Sequence, residues 1–296
     1  MAPVIYHPDY QIPLRDGHRF PMSKYGYLHR LLLERGLLGP GRHIAPELAG
    51  DTTLARAHDT GYVTRVLSNT LLAEETRRIG LPDTAAVTRR ARLAASGTLL
   101  AATIARRQGL AINAAGGSHH AARDWGAGYC VFNDVAIASA ALLSQGIGGP
   151  VLIIDADVHQ GDGTARIFEG DSRVFTFSIH GEKNFPARKV VSDLDIGLPD
   201  GIGDEAYLEA LERGVGQALA IAPAIVFYNA GVDVCAHDRL GRLGLSLDGL
   251  RARDRLVLRR VRAAGLPLAC VLGGGYGEAP EVAERHAVLF EEAAAL

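Results

Sequence analysis

The sequence predicts an α/β fold: a mostly parallel, doubly wound sheet in a single domain, with helices on both faces. Three observations predict it. Short apolar runs alternate with much longer amphipathic stretches, each run is apolar on both faces, and a polar, glycine-rich segment follows nearly every run. Runs of that kind are expected of parallel strands buried under helices, whose alternation with strands defines the class.

In chain order the strand candidates are Leu110–Asn113, Val151–Ala156, Arg173–Ile179, Ala224–Asn229 and Leu268–Leu272. Helical periodicity covers Thr84–Gln108, Phe132–Ser144, Asp204–Ala220, Ser246–Ala264 and Glu278–Ala293. No repeat, low-complexity block or long linker interrupts the pattern, so residues 1–296 are expected to form one domain. Apolar residues make up 48% of the chain, enough for a large core. In open parallel sheets ligands bind at the carboxyl ends of the strands. Five segments would meet there: Gly116–His120, Asp155–Gly163, Ser178–His180, Asn229–Asp233 and Gly273–Tyr276.

The formal net charge of −2 lacks the basic excess of a dedicated nucleic-acid binder. Cys130, Cys235 and Cys270 are odd in number and widely spaced, which suits a reducing compartment. The N-terminal segment has neither a basic region nor an apolar core of signal-peptide type, and no apolar stretch reaches membrane-spanning length. A cytoplasmic location is expected.

Asp155-Ala156-Asp157-Val158-His159 leaves a strand as D-x-D-x-H. Residues two apart in extended chain point the same way, so Asp157 and His159 can offer an oxygen and a nitrogen to one ion. Hard oxygen with imidazole suits zinc or another divalent transition metal. Asp233, beyond another strand at the same edge, supplies a third ligand. Alone, the pentapeptide is equally a solvated loop and Asp233 a helix cap. His119 and His120 can divide acid and base work beside a metal water, with Asp155 and Asp162 as carboxylate partners. Alone, the pair reads as surface polarity. Tyr276 follows Gly273-Gly274-Gly275, where a substrate can approach closely, and its hydroxyl suits a tetrahedral oxyanion. A packing tyrosine after a turn is the other reading.

Taken together, GGSHHA, GYCVFNDVAIA, DADVHQGDGT, NAGVDV and LGGGY resemble the histone deacetylase family in sequence and order. The likeness runs from Tyr6-His7-Pro8 and Arg19-Phe20-Pro21-Met22 through Tyr276. The HQGDGT run, with FSIHGEKNFP and DLDIGLPDG after it, looks most like class IV members and their bacterial relatives. The resemblance implies an arginase–deacetylase fold and one Zn2+ per chain on Asp157, His159 and Asp233. It implies pairing of His119 with Asp155 and of His120 with Asp162. It further implies a channel walled by Tyr129, Phe185 and Leu240 and kept open by Gly128 and Gly274, core packing being the other reading of the three large side chains. A structural K+ is implied at Asp155, Asp157, His159, Ser178 and Ile179.

The implied activity is metal-dependent hydrolysis of an acyl-lysine amide in a peptide or protein. A small acylated amine such as a polyamine is the alternative substrate, and an acyl-lysine-binding scaffold the alternative without turnover. Two-metal ureohydrolases of the related arginase fold use D-A-H-x-D, whereas this chain has D-A-D-V-H. Three positions depart from the common family pattern: Gln160 follows His159 where many members have a second histidine, PGTG is missing after Phe185-Pro186, and Gly80 stands where many carry a rim aspartate. Without that carboxylate the acyl chain must supply more of the affinity, so chains longer than acetyl are expected to be accepted.

Overall fold

A computed structural model describes residues 2–39 and 43–296. Its seven strands are β1 (Val4–Ile5), β2 (Leu110–Asn113), β3 (Val151–Asp155), β4 (Val174–Gly181), β5 (Leu194–Leu198), β6 (Ile225–Asn229) and β7 (Leu268–Val271). They form one all-parallel sheet in the order β1-β2-β7-β6-β3-β4-β5. All five expected strands are present, and the central ones (β2, β3, β6 and β7) are buried along their full length. The sequence reading missed two strands, both at the edges. β1 has only two residues, too few to show a period. β5 alternates partly buried and exposed positions, as an edge strand does, with Asp195 and Gly197 breaking its apolar run.

The helices are α1 (Lys24–Glu34), α2 (Asp51–Leu54), α3 (Thr60–Leu67), α4 (Ala73–Ile79), α5 (Ala85–Gln108), α6 (Asp134–Ser144), α7 (Asp162–Ile167), α8 (Asp204–Leu219), α9 (Leu247–Ala263) and α10 (Ala279–Ala294). Five of them, α5, α6, α8, α9 and α10, match the periodic stretches, whereas α1, as long as α6, was not expected; three of the five begin at capping side chains. Thr84, Asn133 and Ser246 accept hydrogen bonds from Val87, Ala136 and Gly249 at the starts of α5, α6 and α9. Helices α5 and α6 pack together, while α8, α9, α10 and α1 form a consecutive row. None of the described helices is long and apolar enough to cross a membrane.

The topology gathers the functional loops. After β3 the chain moves outward through β4 and β5, then returns to lay β6 and β7 between β3 and β2. Asp155 pairs with both Ser178 and Asn229, and Asn229 pairs with Val271. These residues make one row at the carboxyl edge, from which the loops carrying Asp157, Asp233 and Tyr276 depart.

Candidate active site

Asp157 and His159 follow β3, and Asp233 follows β6. One donor atom from each lies within 4.8 Å of the other two, and all three residues are buried. His159 Nδ1 is 3.0 Å from Asp157 Oδ1 and 3.1 Å from Asp233 Oδ2. The other carboxylate oxygens are held by backbone: Gly274 N–H donates to Asp157 Oδ2 at 2.5 Å, and Val158 N–H to Asp233 Oδ1 at 2.9 Å. Apart from His159 Nδ1, the buried Asp233 Oδ2 has no hydrogen-bond partner. A buried, unsatisfied carboxylate oxygen costs free energy that a cation would recover.

The electrostatics point the same way. Burial, then the charge of Asp157, raises the Asp233 carboxyl to about 7. Burial alone would lower His159, but Asp157 and Asp233 lift it to about 10. Two carboxylates about one imidazole favour positive charge between them. The O, N, O donor set fits one zinc-type ion.

The two histidines sit against this set. His119 Nδ1 is 2.6 Å from Asp155 Oδ2, and His120 Nδ1 is 2.6 Å from Asp162 Oδ1. Each imidazole thus has one nitrogen fixed by a carboxylate and Nε2 left for chemistry. His119 Nε2 lies 3.7 Å from Asp157 Oδ1. Burial lowers His119, but the charges of Asp155 and Asp157 outweigh it and raise the group to about 9. Burial and the neighbouring His119 hold His120 down at about 4, against the pull of Asp162. The Tyr276 hydroxyl is held well above its usual range by burial, then by Asp233 and Asp157, so it stays a proton donor. Its ring lies 6.1 Å from that of His159 and 5.9 Å from that of Tyr129.

Gly128, Tyr129 and Gly274 line one cavity with His119, His120, Asp157 and Tyr276. A Cβ at Gly128 would come within 2.6 Å of the His120 ring, and one at Gly274 would strike the Asp233 carboxylate. Both positions therefore exclude a side chain. Phe185 packs its ring perpendicular to His120 at 4.8 Å and is 47% exposed, which puts it at the outer rim. Leu240 is half-buried, and its carbonyl accepts a hydrogen bond from Asn184 Nδ2 at 2.8 Å. Ser178 is the strand partner of Asp155, and its Oγ contacts His180 Nδ1 at 3.0 Å.

Phe20, Tyr25, Arg90 and Cys130 complete the lining of this cavity, which leaves about 20 Å3 for water-sized guests. That is room for about one water or a methyl group.

Sequence reasoning missed three supporting residues. Asp134 accepts N–H bonds from Gly117 and Ser118 and so fixes the loop that delivers the histidine pair. Asn229 donates to Asp155 Oδ1 at 2.9 Å. Arg253, fully buried on α9, donates to the carbonyls of Ala156 and Gly231, tying together the two ligand loops. Asn229 and Asp134 lie inside motifs already singled out, and polar residues in such apolar surroundings were a usable signal. Arg253 offered none, because α9 is rich in arginine.

Fold and site together define an α/β protein with a two-carboxylate, one-imidazole centre beside a carboxylate-held histidine pair. The histone deacetylase domain model matches residues 18–292. An uncharacterized protein of Picosynechococcus sp. is 47% identical, with 98% of each chain covered. Histone deacetylase 2 of Arabidopsis thaliana is 30% identical over 92% of this chain and 74% of its own. The crystal structure of the HDA15 HD domain shares the fold with a TM-score of 0.78 at 24% identity, covering 97% of this chain and 88% of that one. This chain belongs to the histone deacetylase family.

Proposed function

We propose that the protein is a zinc-dependent amide hydrolase that removes a short acyl group, acetyl first, from a lysine-type amine. The observation that carries this reading is the convergence of Asp157, His159 and Asp233 beside two histidines whose Nδ1 atoms are each held by a carboxylate. A zinc ion held by those three residues would supply Lewis acidity, polarising the acyl carbonyl and lowering the pKa of water there to about 7. His120 Nε2 takes the water proton as the oxygen attacks the carbonyl carbon, and returns it to the nitrogen as the C–N bond breaks. The products are a carboxylate and a free amine. His119 Nε2 already faces Asp157, so His119 tunes the charge of the site while His120 moves the proton. The Tyr276 hydroxyl donates to the developing oxyanion, a contribution of about 10²–10³ in rate. A structural K+ at Asp155, Asp157, His159, Ser178 and Ile179 belongs to the same proposal, supported by the strand pairing of Asp155 with Ser178.

Gly80 favours a second reading of the substrate. It ends α4 in the left-handed region (φ 76°), with Tyr129 3.1 Å from where its Cβ would be, and it offers no carboxylate to grip a peptide backbone. A small acylated amine such as an acetylpolyamine needs no such grip. The deciding experiment assays zinc-loaded protein against one peptide bearing acetyl-, octanoyl- or myristoyl-lysine and against acetylated polyamines. Acetyl turnover above long-chain turnover is expected. Tight binding of acyl-lysine without turnover of any compound would replace the hydrolase by an acyl-lysine-binding scaffold.

A further inference from the structure

Tyr276 must hold its hydroxyl in place, yet its own loop cannot do so. Three consecutive glycines precede it, Gly275 lies at φ 151°, and Gly277 follows at φ 143°. Glycine has no side chain to pack and the widest backbone freedom. The constraint comes from Asp238, which has no part in the chemistry above. Its buried carboxylate accepts three backbone N–H groups, from Tyr276 to Oδ2 at 2.8 Å and from Leu240 and Gly241 to Oδ1 at 2.9 and 3.0 Å. Arg285, on α10, places its guanidinium 3.7 Å from Oδ2. The backbone closes the same junction, with Arg239 N–H donating to the Tyr276 carbonyl at 3.3 Å and Val232 N–H to that of Gly274 at 2.9 Å.

Resting on the hydrolase reading, we propose that Asp238 is the positioning residue for Tyr276. One ionised carboxylate clamps the backbone of the oxyanion donor to the turn that follows Asp233. Only a carboxylate fits all three donors, because it is acceptor-only and its charge strengthens each bond. An asparagine would turn an NH₂ group toward at least one of these N–H donors. A displacement of about 1 Å at a catalytic group can cost about 10²-fold in rate, so the clamp acts on turnover more than on binding.

The test uses the full-length zinc-loaded protein and its Asp238→Asn, Tyr276→Phe and double variants. Asp238→Asn is expected to lower kcat by about 10- to 10²-fold with KM little changed and zinc still stoichiometric. In the Tyr276→Phe background the same change should lower kcat by less than about threefold, since the hydroxyl it positions is gone. Independently of turnover, amide exchange at the Tyr276 N–H should speed up by about tenfold or more while the central strands stay protected. Additive effects in the double variant, loss of zinc, or unchanged exchange at Tyr276 would each overturn the proposal. If Asp238→Asn does not fold, Asp238→Glu keeps the charge, shifts the acceptor and meets the same criteria. If wild-type protein turns over no acyl amine, the hydrolase reading fails, and amide exchange alone decides whether the clamp exists.

Discussion

Asp157, His159 and Asp233 hang from the ends of buried central strands, whereas Gly80, Phe185 and Val191 sit on segments that meet solvent. The ligands are over-determined. Strand register sets their approach, backbone N–H groups hold their oxygens, and Arg253 ties their loops from behind. The rim is held mainly by polar side chains instead. Gln160 links the Asp157–His159 loop to the loop carrying Phe185, donating to Val190 O at 2.7 Å and to Asp195 Oδ1 at 2.9 Å while accepting from Val190 N–H. The contrast teaches that the chemistry is fixed by the scaffold, while substrate choice is left to segments that can change cheaply.

The largest expected effect tests the anchored half. Asp157→Ala or Asp233→Ala should remove stoichiometric zinc and lower turnover by at least about 10³-fold, since several kcal/mol of charge stabilisation go with the ion. Elemental analysis showing full zinc in both variants would refute the ligand assignment. Tyr276→Phe comes next, with turnover down about 10²–10³-fold and both zinc and fold retained. Near-normal turnover would reduce this tyrosine to packing.

The rim should respond more mildly and in a different parameter. Gln160→Ala loosens the Phe185 loop and is expected to raise KM by roughly 3- to 10-fold, as for losing about 1 kcal/mol of hydrogen bonding. Steady-state kinetics with kcat reduced as far as KM is raised would erase the distinction between rim and centre.

A last effect, on stability rather than turnover, concerns pH and the support beneath the histidine loop. His58 Nε2 accepts the Asn133 N–H at 2.9 Å, and Asn133 in turn donates to Ala121 O and Thr164 Oγ1. Burial lowers His58 to about 4. The folded value lies below the ordinary one of about 6.5, so the unfolded chain takes up the proton first. This part of the stability is present above about pH 6.5 and is lost progressively as the pH falls toward 4, amounting to about 3 kcal/mol at most. Denaturant unfolding at pH 7 and pH 5 should show a smaller acid loss for His58→Gln than for wild type. Equal losses would mean that His58 does not report on this support.

Much of the centre was legible because its residues follow apolar runs at short, fixed distances. D-x-D-x-H after Val151–Ile154, and Asp233 after Ile225–Asn229, needed only the rule that parallel strands deliver their loops to one edge. The pairing of His119 with Asp155 and of His120 with Asp162 was reached through the family resemblance, since spacing alone does not set which carboxylate meets which imidazole. Residues that act across elements were less visible. Arg253 sits on α9 among other arginines, and Asp238 follows His237 in a turn whose partner, Tyr276, is remote in sequence. β1 and β5 escaped because two residues carry no period and an edge strand lacks the uniform burial of its neighbours. Part of the cavity lining escaped for a similar reason: Phe20, Tyr25 and Arg90 come from the N-terminal third and meet the histidine and tyrosine loops only after folding.

The strand order has a consequence for how the chain is made. β3 emerges during synthesis well before β6, which must pair along its inner side, and before β7, which joins β6 to β2. Until they arrive, an apolar strand edge stays open and two ligands wait without the third. Such late, long-range pairing is slow and exposes surfaces that aggregate. On the proposed metal reading, the set Asp157, His159 and Asp233 is complete only late in synthesis, once β6 has delivered Asp233.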